Sequence, residues 1–131
     1  MKRVVLGRSG LEVSRVGLGG LWLQDDDQAA VDDVVVGAVA AGIDYIDTAP
    51  AYGASEAVLG RAIGSLSEAI VISTKLGGRP TPFDPRSASA LIESVRTSCA
   101  LLGRDRIDIL MIHEPDRPSQ YDWWTDPLTY D

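Results

Sequence analysis

At 131 residues the chain is long enough for one domain with its own hydrophobic core. An apolar fraction of 45% and a charged fraction of 24% exclude wholesale disorder. The net charge of −7, with no basic stripe to offset it, argues against nucleic acid as a partner. The lone Cys99 cannot form an internal disulfide, and the apolar piece after Lys2 and Arg3 is too short for a signal peptide. The longest uncharged run, residues 34–43, is about half of a membrane span. A soluble, cytoplasmic protein without membrane contact is therefore expected.

The first predicted elements are two short strands, residues 3–6 and 11–13, around the turn Gly7-Arg-Ser-Gly10. A second apolar piece, Val16-Gly-Leu18, runs into Gly19-Gly20. The acidic run Asp25-Asp26-Asp27 reads as the solvated start of a helix rather than a metal cluster, because acids complement the positive end of the helix dipole. Val31, Val34, Val35, Ala38 and Val39 then recur at the spacing of one buried helical face, and Gly42 closes the helix.

From Gly42 onward the pattern repeats. Residues 43–46 read as a strand, and residues 55–63 as a short helix with Val58, Leu59, Ala62 and Ile63 inward. Residues 70–72 form the next strand. A helix is expected to start at Asp84-Pro85, aspartate as N-cap and proline at the first helical position, with Ile92, Val95, Cys99 and Leu102 inward and Gly103 at its end. Residues 107–112 are the fourth strand of this kind. Short apolar strands alternating with helices mean βα units around a parallel sheet buried on both faces. After His113 the chain turns rich in proline, acid and aromatic residues, and residues 114–131 read as loop.

In parallel βα architectures the carboxyl ends of the strands build the site. Asp47 follows the strand ending at Ile46, with Tyr52 shortly after. Lys75 follows Ile72, and His113 follows Ile112. Three successive strands thus deliver an acid, a tyrosine, a lysine and a histidine to one rim. This set suits proton donation to a carbonyl. A free phenol is too weak an acid at neutral pH, an ammonium beside it favours its ionised form, a carboxylate holds the ammonium, and a histidine can orient the carbonyl oxygen. Gly17-Leu-Gly-Gly20 lacks the third glycine of a dinucleotide fingerprint and opens into no helix. No nucleophile elbow and no metal-spaced His or Cys pair is present, so no metal is expected.

Asp47-Thr-Ala-Pro-Ala-Tyr-Gly53, followed by Ser55-Glu56 and Leu59-Gly60, closely resembles the signature of the aldo-keto reductase family, as do Ser73-Thr-Lys75 and Ile112-His113. The opening from Leu6 to Gly19 resembles that family's hairpin and first strand, so the resemblance covers essentially the whole chain. It implies a (β/α)8 TIM barrel, with residues 1–131 supplying the N-terminal hairpin and the first four βα units. It also implies Asp47, Tyr52, Lys75 and His113 as the catalytic tetrad, NADP or NAD as cofactor, and a small carbonyl or sugar substrate. Gly20, Leu21 and Asp47 would lie beside the cofactor, and Trp22, Tyr52 and His113 beside the substrate. The stretch from Ile112 to Pro118 and the Trp123-Trp124 pair look more like the branch acting on sugars and pyridoxal, aldose 1-dehydrogenases and pyridoxal 4-dehydrogenases included.

A full barrel needs eight units and about 250 residues. In the family most grips on the cofactor's phosphates and adenosine come from the second half. Two readings stay open: an oxidoreductase complete only with its other half, and a non-catalytic half-barrel. With open sheet edges at residues 16–18 and 107–112, the chain alone is expected to bind cofactor weakly or not at all. It is also expected to self-associate or to pair with a C-terminal half-barrel.

Overall fold

The structure is a computed structural model that describes residues 1–24, 27–66, 69–79, 83–84 and 86–113. The chain opens with β1 (Arg3–Val5) and β2 (Glu12–Ser14), an antiparallel hairpin with Val4 opposite Val13. Its turn needs Gly7 and Gly10, both at positive φ (52° and 75°). The hairpin is fastened to the body through Asp44. That carboxylate accepts the Ser14 N–H at 2.6 Å and the Arg3 guanidinium, while Asp44 N–H donates to Ser14 Oγ at 3.1 Å. Burial works against the charged carboxylate. The hydrogen bonds from Ser14 and Arg3 outweigh it and hold Asp44 below the usual carboxylate range.

Four strands follow: β3 (Leu18–Gly19), β4 (Tyr45–Asp47), β5 (Val71–Leu76) and β6 (Ile109–Ile112). They form one parallel sheet in chain order. The crossovers are α1 (Gln28–Ala40), α2 (Ser55–Gly64) and α3 (Ala88–Leu102). The core lies between sheet and helices: Ile46, Ile70 and Ile72 meet Val31 and Val35 of α1, Val58, Leu59, Ala62 and Ile63 of α2, and Leu102 of α3. The inward face expected for the second helix is the one observed. Among the described residues no helix is long and apolar enough to cross a membrane.

Several local expectations are corrected. β4 runs to Asp47 and β5 to Leu76, so Asp47 and Lys75 stand in the ladder itself rather than after it. β3 and β6 begin two residues later than expected, at Leu18 and Ile109. The third helix starts at Ala88, because Ser87 wins the cap by accepting the Ala90 N–H, whereas Asp84 accepts the Arg86 N–H in a preceding turn. Pro85 lies outside the described residues, as do Asp25, Asp26 and the whole of residues 114–131, while Asp27 is the N-cap of α1.

Two apolar side chains placed inward are exposed. Ile92 is 51% exposed because α3 turns Ser94, Ser98 and Leu102 inward instead, and at its C-terminal end the Leu101–Leu102 backbone comes close to α2 where Gly60 carries no side chain. Val34 is 46% exposed at the edge of the α1 stripe. Among the described residues α2 is the helix that packs closely against α1, on the side of Val31 and Val35.

Candidate active site

Side chains alternate across the sheet. On β4, Ile46 enters the core under the helices, so Tyr45 and Asp47 point to the opposite face. On β5, Ile72 and Thr74 face the helices, and Ser73 and Lys75 face the same way as Asp47. Asp47 is paired with Ser73 in the ladder, which sets Lys75 next to it diagonally.

Lys75 Nζ donates to Asp47 Oδ2 and to the Thr48 carbonyl oxygen, each at 2.8 Å, and its side chain is 11% exposed. The same ammonium lies 4.7 Å from the centre of the Tyr52 ring. His113 is buried and meets the Tyr52 ring edge-to-face, with centroids 5.6 Å apart and planes at 85°. Asp47, Tyr52, Lys75 and His113, expected from sequence at one rim, therefore form one contiguous cluster. A proton donor, a cation, an anion holding that cation and an imidazole meet there.

The loop that carries Tyr52 is a chain of turns running into α2. Tyr52 N–H donates to Ala49 O and Ser55 N–H to Tyr52 O, each at 3.0 Å, and Gly53 takes the positive φ of 55° that the bend demands. Thr48 Oγ1 and Ser55 Oγ stand 2.8 Å apart, both fully buried, and Ser55 donates on to the Gly20 carbonyl at 2.8 Å.

Gly20 is thereby bound into the wall. Its N–H donates to the Asp47 carbonyl at 2.7 Å, and a Cβ there would lie 2.6 Å from Ser55 Oγ. Next to it, Leu21 is 41% and Trp22 84% exposed, and nothing lies within 4 Å of a Cβ built on Gly19, the ladder partner of Asp47.

Three groups have roles at the site that the sequence reading did not assign. Ser73 Oγ donates to Asp47 Oδ1 at 2.5 Å, so both carboxylate oxygens are committed, and Tyr45 OH donates to Ser73 Oγ at 3.3 Å. Period-two spacing puts Ser73 on the face of Lys75, and that signal was available. The third, Glu56, is buried under this site with Thr74 and Arg79 as its partners. Burial lowers the Arg79 guanidinium from its ordinary value, though an arginine stays charged.

The family model for the aldo/keto reductase family matches residues 15–128. The NADH-specific methylglyoxal reductase of Escherichia coli K12 is 34% identical, aligned over 86% of this chain and 42% of its own length. The 6-dehydroglucose reductase of Novosphingobium aromaticivorans is 36% identical over 85% of this chain and 41% of its own. Among solved structures, the holo form of an aldo-keto reductase from Bacillus halodurans superposes with a TM-score of 0.76 at 29% identity, covering 86% of this chain and 40% of that one. The glycerol dehydrogenase of Gluconobacter oxydans superposes with a TM-score of 0.66 at 30% identity, covering 79% and 36%. The chain thus spans about two fifths of the length of these relatives, and its four-stranded parallel sheet is part of their TIM barrel. With the family model matched along most of its length, this chain belongs to the aldo/keto reductase family.

Proposed function

We propose that this chain carries the proton-donating half of an NAD(P)H-dependent carbonyl reductase. Tyr52 is the general acid, Lys75 the cation beside it, Asp47 the anchor of that cation, and His113 the group that orients the carbonyl oxygen. The observation that carries this reading is the Lys75 ammonium, held by Asp47 and the Thr48 carbonyl at 4.7 Å from the Tyr52 ring centre. Negative charge developing on the phenolic oxygen as the proton leaves is met by a fixed positive charge that needs no reorganisation. Ser73 keeps Asp47 from swinging away from the lysine.

The residues present fit the nicotinamide end of the cofactor. Open space over Gly19 beside Asp47, with Leu21 and Trp22 exposed at the same exit, leaves room for a flat ring, and Gly20 shapes that wall. A reduced nicotinamide, when bound, supplies the hydride to the carbonyl carbon; this chain supplies the proton to the oxygen. NADP and NAD both stay in the proposal. The relatives' names, a methylglyoxal reductase and a 6-dehydroglucose reductase, support a small aldehyde or ketone, sugar-derived ones included, with Trp22, Tyr52 and His113 around it. The exposed Leu110, Met111 and Ile112 on the terminal strand β6 support pairing with a C-terminal half-barrel or a second copy.

The test is Tyr52→Phe in a barrel assembled from this chain and a C-terminal half. The substitution keeps the ring and removes the proton, so turnover should fall at least ~10²-fold with cofactor affinity nearly intact. Retention of more than a tenth of the turnover refutes Tyr52 as the acid. No turnover in an assembled barrel with Tyr52 intact favours the non-catalytic half-barrel.

A further inference from the structure

Glu56 is the second residue of α2, 1% exposed, and no step above uses it. A carboxylate taken out of water is costly unless it is paired and hydrogen-bonded. Here both oxygens are engaged. Oε1 accepts the Thr74 hydroxyl at 2.5 Å, and Oε2 pairs with the Arg79 guanidinium.

The two partners flank Lys75. Thr74 precedes it in β5 and faces the helices, so holding Thr74 fixes the rotation of the strand and the direction in which Lys75 points. Arg79 ends the segment Gly77-Gly78-Arg79, which runs against the Tyr52 loop and His113. A Cβ on Gly78 would meet the Ala51 backbone nitrogen at 3.2 Å, and one on Gly77 would meet His113 Cβ at 3.4 Å. Glu56 itself stands on the helix whose first N–H, that of Ser55, closes the Tyr52 turn. One carboxylate therefore ties the segment bearing Tyr52 to the strand bearing Lys75 and to the turn that abuts His113. An apolar side chain could fill the space without the desolvation cost, yet it would hold none of these in register.

We infer that Glu56 is a positioning residue that, through Thr74 and Arg79, sets the Lys75 ammonium against Asp47 and the Tyr52 ring. The inference rests on the reading of Tyr52 and Lys75 as the reacting pair, and its test needs no turnover. The chain has only two lysines, Lys75 and the exposed Lys2. In the 15N-labelled chain the Lys75 ammonium, shielded and bound to two acceptors, should give its own slowly exchanging proton signal, assigned by its loss in Lys75→Met.

Glu56→Gln should speed that exchange at least ~10-fold while the amide spectrum stays that of the folded chain. Thr74→Val, which keeps the shape and removes only the hydroxyl, should act in the same direction, and it decides the matter if Glu56→Gln fails to fold. Arg96→Gln, on the exposed face of α3, should leave the signal unchanged. An unaltered Lys75 signal in a folded Glu56→Gln chain, or in Thr74→Val, overturns the inference and leaves Glu56 a packing residue. If Tyr52→Phe keeps its turnover while the ammonium still responds to Glu56, the tetrad reading fails and the positioning stands.

Discussion

Gly60→Ala sets a local preference against a tertiary contact. Within α2 a glycine costs roughly 1 kcal/mol relative to alanine, so the substitution should stabilise the isolated helix. In the folded chain the new Cβ would lie 2.0 Å from the Leu101 carbonyl oxygen, 2.9 Å from Leu102 Cα and 3.0 Å from the Leu101 carbonyl carbon. These are backbone atoms of α3 and cannot rotate away. A carbon–oxygen contact needs about 3.3 Å or more, so α3 must retreat by over ~1 Å. Leu102, 1% exposed and packed in the core with Leu59, loses contacts as it does so.

Overpacking of this kind costs about 1–3 kcal/mol, and the lost core contact adds to it, which exceeds the gain in helix propensity. We expect a net loss of roughly 1–3 kcal/mol and a midpoint lower by about 3–15 °C for a chain of this size. Gly37→Ala is the matched control. It sits inside α1 with nothing within 4 Å of the new Cβ, so it should raise stability by about 0.5–1 kcal/mol. Thermal unfolding by far-ultraviolet circular dichroism, cross-checked with urea, reads both. A Gly60→Ala midpoint at or above wild type would refute the close α2–α3 contact, and a lowered Gly37→Ala midpoint would refute the open face of α1.

Three further outcomes are expected. In the assembled barrel Lys75→Met should lower turnover at least ~10²-fold, and the pH dependence of the residual rate should differ from wild type. An unchanged profile would make Lys75 structural. Asp44, held below the ordinary carboxylate range by Ser14 and Arg3, stabilises the fold above its unfolded value of ~3.9 and loses that contribution as pH falls through its lower folded value. The stability gap between wild type and Asp44→Asn should therefore shrink on going from pH 7 to below about pH 4, and a gap constant across that range in denaturant titrations rules the linkage out. Sedimentation of the isolated chain at micromolar concentration should show dimers or larger species, because β3 and β6 end the sheet unpaired among the described strands. A compact, cooperatively unfolding monomer that binds nicotinamide cofactor at micromolar affinity would contradict this.

The alternation of strands and helices, the glycine-bounded hairpin, the inward face of α2 and the four residues of the rim were legible in the sequence. Each depends on short-range information. Period two or 3.6 marks an element, glycine marks its end, and strand polarity puts Asp47, Lys75 and His113 at one edge. What tertiary structure decided depends on neighbours far away in sequence. Apolar spacing says which residues could be buried, but only the presence or absence of an adjoining helix left Val34 and Ile92 exposed while Ser94 and Ser98 went inside. Asp84-Pro85 read as a cap in isolation, and Ser87 took that role because its hydroxyl meets the free N–H of Ala90. Glu56 read as part of a family signature, while its partners Thr74 and Arg79, 18 and 23 residues on, are brought to it only when β5 pairs beside β4. Burial turns an ordinary helix-start acid into a committed one, because a carboxylate without water must find its partners in whatever the fold places next to it.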